Sequence, residues 1–178
     1  SDGEFIQTVS DYMSDNDFPQ SSINNIVQNS FDVFSHCIKP TGSNGQNTGI
    51  IIGKVQSGKT SNFISLIAMA FDNGYNISIV LGGNKNILLE QNKQRIKDSF
   101  KVDPDKLVVL DTNTNKDIIN DREIERFVRR GVKVIIVGLK HHKHIDKIAE
   151  TFISSYLKNQ PTLIIDDEGD QATLNTKK

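Results

Sequence analysis

The chain has 178 residues, with 21 basic and 22 acidic side chains, 36% apolar content, one cysteine and no tryptophan. That length buries a core without staples. Cys37 alone excludes an intramolecular disulfide and suits a reducing cytoplasm, and no apolar run nears the roughly 18 residues that suggest a membrane span. Asp2, Glu4, Asp11, Asp15, Asp17 and Asp32 fall in residues 1–38, where there is no Lys or Arg, so an acidic arm precedes a mildly basic body. A basic excess spread this thinly is that of a solvated surface, and it permits a polyanionic partner without demanding one. The opening Ser-Asp-Gly-Glu has neither an initiator Met nor the basic start and apolar stretch of a secretory signal. A leading Ser looks like a processed tag, so the chain is expected to be a cut from something longer.

In chain order, Ile23, Ile26, Val27, Phe31 and Phe34 recur at helical spacing, with Ser21 or Ser22 as a cap and Pro40 beyond the end, which predicts an amphipathic helix docked onto the body. Glycines and short polar side chains then make residues 41–49 a loop. After it, short apolar runs rich in Ile and Val at 50–52, 77–81, 107–110, 132–137 and 163–165 alternate with helical stretches at 60–72, 86–100, 117–130 and 142–157. Continuous apolar strands, each separated by a helix, are the pattern of a mostly parallel sheet covered on both faces, so the fold class is α/β with at least five strands. No internal repeat is present.

Directly after 50–52 stands Gly53-Lys54-Val55-Gln56-Ser57-Gly58-Lys59-Thr60, a full match to G-x-x-x-x-G-K-S/T. The glycines let backbone N–H groups wrap a phosphate, and the following helix points its positive end at the same anion. Lys59 supplies a point charge to the β and γ phosphates, and the Thr60 hydroxyl is a Mg2+ ligand. The last strand runs into Asp166-Asp167-Glu168-Gly169-Asp170. Carboxylates this dense repel one another, and a cation relieves the repulsion. Ligands of open parallel sheets sit beyond the carboxyl ends of strands, so this segment is expected to share a crevice with the phosphate loop.

Together, Val55-Gln56-Ser57-Gly58-Lys59-Thr60 and Ile164-Ile165-Asp166-Asp167-Glu168-Gly169-Asp170-Gln171-Ala172 resemble the first RecA-like domain of superfamily-two helicases. Within that group the chain looks most like the helicase-like ATPases found with the Z-one domain in bacterial endonuclease and restriction-type defence proteins. The resemblance covers about 49–175 and implies a RecA-like P-loop NTPase fold over 50–178, preceded by the helical arm 1–40 and the loop 41–49. It makes Asp167-Glu168-Gly169-Asp170 the DExD box, with Asp167 as the Mg2+ carboxylate and Glu168 as the general base. Gly169 replaces the usual Ala, and Asp166 stands where an apolar residue is common. ATP and Mg2+ are the implied cofactors and DNA the implied polymer. A second RecA-like domain is expected to complete the ATP site with arginines, leaving this segment a weak ATPase by itself.

Gly82-Gly83-Asn84, leading into Leu88 and Gln91, and Gly138-Leu139-Lys140-His141 each join a strand end to a helix, where N–H groups can hold nucleic-acid phosphates. His141, His142 and His144 read as a solvated helix start beside Lys140 and Lys143 rather than a zinc site, since no Cys or paired His stands at a suitable spacing. Cys37 reads as a small buried hydrophobe. Arg126, Arg129, Arg130 and Lys133 read as the last turn of a helix stopped by Gly131. Gln46 and Gln56 are candidates for adenine recognition. The leading expectation is the ATP-hydrolysing domain of a DNA-acting motor. The alternatives are a nucleotide-gated switch or assembly module and a small-molecule phosphotransferase.

Overall fold

The computed structural model describes residues 3–40, 45–49, 59–83, 86–112, 120–153 and 155–167. The chain divides into two compact units, Ser1–Tyr75 with Asp98–Lys101, and Asn76–Lys97 with Val102–Lys178.

In the first unit, α1 spans Glu4–Asp15, α2 Gln20–Phe34 and α3 Lys59–Asp72. Between Ser61 and Phe71 the sequence of α3 carries no charge, and every residue from Phe63 to Phe71 is buried, as expected of a helix that is apolar all round. Both α1, through Ile6, Val9 and Met13, and α2, through Ile23 and Ile26, are amphipathic and pack against α3. The start of α2 differs from expectation. Pro19 holds the cap position, with Ser22 N–H donating to its carbonyl at 2.8 Å, so neither Ser21 nor Ser22 caps the helix. Phe31 also departs from the expected apolar stripe and is 55% exposed. The buried stripe runs Ile23, Ile26, Ser30, and Ser30 enters it because its hydroxyl donates to the Asn62 carbonyl at 3.0 Å.

Helix α1 lies ahead of the predicted amphipathic stretch, with Ile6, Val9 and Met13 at helical spacing, and its start is stabilised from a distance. The Asp72 carboxylate, at the end of α3, accepts from Phe5 N–H at 3.0 Å and Ile6 N–H at 2.9 Å. Those are two of the donors that every helix start leaves without an intrahelical partner. A Cβ at Gly3 would overlap this carboxylate, so the position is compatible only with glycine.

The second unit is α/β. Strands β1 (Ile77–Gly82), β2 (Leu107–Asp111), β3 (Lys133–Gly138) and β4 (Thr162–Asp167) form a parallel sheet in the order β2-β3-β1-β4. Each lies within two residues of its predicted run; the fifth predicted strand, 50–52, lies outside the described residues. Alternation along the strands sends Ile77, Ile79, Val134 and Ile136 to one face, where they form a core with Ile124 and Val128 of α5 (Asp121–Arg129), Ile148 of α6 (His142–Thr151) and Leu157 of α7 (Ser155–Lys158). Helix α4 (Asn86–Phe100) meets the opposite face, where its Lys93 reaches Asp111 of β2.

Two expectations change here. The stretch 142–157 is two helices, because the chain leaves helical geometry at Phe152 (φ −92°, ψ 10°) with no Gly or Pro to announce it. Burial is also uneven: β4 is an edge among the described strands, and Ile164 at its centre is 61% exposed. Gly131, at φ +81°, ends α5 as its composition predicts.

Candidate functional site

Of the phosphate-loop residues, Gly53, Val55, Gln56, Ser57 and Gly58 lie outside the described residues, as do Glu168, Gly169 and Asp170. Lys59 and Thr60 are the first two residues of α3, so the turn where the loop pattern ends is the first turn of a 14-residue helix. Thr60 is half-buried and Gln46 is exposed. In the second unit, Asp166 and Asp167 are the last two residues of β4.

The carboxyl ends of the four strands carry a polar constellation. At the end of β2, Asp111 is 4% exposed and pairs with Lys93 at 2.5 Å, while Lys93 also lies 3.4 Å from Glu90. Burial lowers the Lys93 pKa, but the hydrogen bond and charge of Asp111, reinforced by Glu90, more than offset this and hold the ammonium above its ordinary value. The next residue, Thr112, donates its N–H to the Val137 carbonyl at 3.1 Å, and its hydroxyl lies 2.6 Å from His144 Nδ1. Burial, then the neighbouring His141 and Lys147, lower the His144 pKa, which favours the neutral imidazole.

At the end of β1, Gly83 takes φ +53°, and a Cβ there would come within 2.7 Å of Leu88 Cδ1. This explains both the glycine and the Leu88 that follows it: they close the turn into α4 against each other. The Gly83 carbonyl accepts from Lys140 N–H at 2.9 Å, and Lys140 Nζ lies 2.8 Å from Asp166 Oδ1. Lys140 therefore links the ends of β1, β3 and β4. The Lys140 side chain is only 11% exposed, unlike the helix start that follows it. Solvation holds for His141 and His142, which are exposed, but His144 is half-buried against Thr112. His141 is the N-cap of α6, its Nδ1 accepting from Lys143 N–H at 3.4 Å.

The expected basic helix end is also resolved in detail. Arg126 and Arg129 are in the last turn of α5; Arg129 Nε lies 2.7 Å from Glu125 Oε1, and its guanidinium carbon sits 3.9 Å over the Tyr156 ring. Lys133 belongs instead to β3, where its ammonium donates to Asn76 Oδ1 at 3.0 Å. Cys37 is half-buried, and burial raises its thiol pKa, away from the thiolate a nucleophile needs.

As a test of fit to Mg2+, Asp167 presents hard carboxylate oxygens at a strand end, the donor class this ion takes. It is half-buried and no described residue pairs with it, whereas Asp166 is taken by Lys140. Among the described residues no group of three or more His, Cys, Asp or Glu side chains is placed to hold a metal, so Asp167 would be one protein ligand of a water-rich ion. The roles of Lys140, Lys93 and Thr112 were not readable from the chain alone. The signal for Lys140 is a lysine two residues past the apolar run Val134 to Val137 and Gly138, where an ammonium must find a counter-charge. Among the described residues no helix is long and apolar enough to cross a membrane. Scans against protein-family models, curated proteins and solved structures each return no match.

Proposed function

We propose that the chain is the nucleotide-binding domain of a Mg2+-dependent ATPase of the superfamily-two helicase type, with a RecA-like P-loop fold and DNA as the polymer acted on. The observation that carries this reading is the octad Gly53 to Thr60, whose last two residues open α3. A helix start offers free N–H donors and a positive dipole end to a phosphate, which is the context the octad requires. The parallel sheet and the carboxylates that end β4 support it, since ligands of such sheets bind beyond the strand ends. The link to DNA and to restriction-type endonuclease systems rests on the resemblance of the two motifs.

In this reading the loop N–H groups and the Lys59 ammonium bind the triphosphate and orient its terminal phosphate. The Thr60 hydroxyl and the Asp167 carboxylate are Mg2+ ligands, the ion supplying neutralisation of phosphate charge. Glu168 orients the attacking water and accepts its proton. A second RecA-like domain contributes arginines to the phosphate, so the 178-residue chain binds ATP weakly and turns it over slowly. Lys59→Ala is expected to weaken binding of a fluorescent ATP analogue about tenfold or more, the loss of one charge-assisted contact. Unchanged affinity would remove Lys59 from the site. Glu168→Gln is expected to keep the affinity and lower turnover.

A further inference from the structure

The end of β4 sets two adjacent carboxylates where the proposed mechanism uses one. Neighbouring side chains on a strand point to opposite faces, and the sheet register identifies the faces. Asp166 stands beside Leu81 of β1, whose side chain packs with the core formed by α5, α6 and α7. Asp167 stands beside Gly82, where a Cβ would meet Asn92 of α4. The two carboxylates thus leave the strand on opposite sides of the sheet.

Among the described residues only the first is paired with a cation. Lys140 is pinned across the end of β1 by its N–H to Gly83, and from there Nζ reaches Asp166 Oδ1 at 2.8 Å. An ammonium this little exposed is stable only with its charge matched, so the pairing is built into the fold. We infer that Lys140 is a positioning residue: by neutralising Asp166 on the far side of the sheet it leaves Asp167 as the one carboxylate whose charge draws the divalent cation to the strand end. The inference rests on the Mg2+ reading of the acidic strand end.

Mn2+ alone, titrated into the 178-residue chain and followed by the electron paramagnetic resonance of the free ion, tests it without nucleotide or turnover. Asp167→Asn is expected to weaken Mn2+ binding at least about tenfold and Asp166→Asn less than about twofold, since only one of the two charges faces the ion. Lys140→Met leaves the Asp166 charge unmatched, and its field then adds to that of Asp167 at the strand end, so in that background Asp166→Asn should weaken Mn2+ binding at least about threefold. Lys140→Arg, which keeps the charge, should restore insensitivity to Asp166→Asn. A strong loss with Asp166→Asn in the native background overturns the inference while leaving the metal reading in place, as does continued insensitivity after Lys140→Met. If Lys140→Met does not fold, the two single Asn variants in the native background decide. No Mn2+ binding, or binding indifferent to both carboxylates, removes the metal reading and the inference with it.

Discussion

Ser78 occupies the middle of β1 with its side chain fully buried, and its hydroxyl has no hydrogen-bond partner among the described residues. The neighbours at its level are apolar, Ile135 of β3 on one side and Leu163 of β4 on the other. A hydroxyl moved from water into such surroundings loses its hydrogen bonds and gains none, which costs about 1–3 kcal/mol. Ser78→Ala should therefore be neutral or stabilising by up to about 1–2 kcal/mol, read as a rise in Tm. A fall in Tm would show that the hydroxyl is satisfied in solution. Lys93 and Asp111 are the contrasting case. There two charges are buried together and match, so removing either leaves the other exposed to the same penalty on a larger scale.

Among the elements, α1 shows how a short helix is held. Its own start has Gly3 at the cap with no side-chain cap bond, and the missing acceptor comes from Asp72, more than sixty residues away. Asp72→Ala should cost about 1–2 kcal/mol, the scale of losing a helix cap with its charge, and should lower Tm more than Asp15→Ala in the last turn of the same helix. An unchanged Tm in Asp72→Ala would mean that the carboxylate contributes nothing at α1. This arrangement also marks where reading the chain reaches its limit. Strands rich in Ile and Val were legible because nothing else in a chain of this composition gives continuous β-branched runs. A cap supplied across the sequence leaves no local trace, so the start of α1 was not readable although Ile6, Val9 and Met13 keep helical spacing, and the break at Phe152 carries no Gly or Pro. The exposure of Ile164 was hidden for a similar reason, because an edge strand and a central one have the same composition until their neighbours are known.

For the molecule as a whole, stability should respond to pH through His144. Its folded pKa is lowered first by burial, then by His141 and Lys147, so the unfolded chain binds the proton more readily. Stability thus rises with pH wherever that difference is felt. The contribution is fully present above the ordinary imidazole value of 6.5 and is lost as pH falls below it and through the lowered folded value. Tm measured on either side of 6.5 should drop on the acid side, and His144→Gln should flatten that drop; an unchanged slope would exclude His144 as its source. At this scale the α/β class, the parallel pairing and the polar strand ends were readable from the chain. The strand order was not, since β4 joins the sheet beside β1 across eighty residues of sequence that contain both other strands. The difference between Asp166 and Asp167 was equally hidden, because it depends on which side of the sheet each one leaves.

The stacking of Arg129 on Tyr156 has a practical consequence. The chain has no tryptophan and three tyrosines, so its intrinsic ultraviolet signal is divided between the units: Tyr12 and Tyr75 report on the first, and Tyr156 alone on the second. A guanidinium 3.9 Å over the ring perturbs the Tyr156 chromophore only while α5 and α7 remain packed. Near-ultraviolet circular dichroism of the native chain, compared with that of Tyr156→Phe, thus separates the melting of the sheet-bearing unit from that of the helical one without any added label.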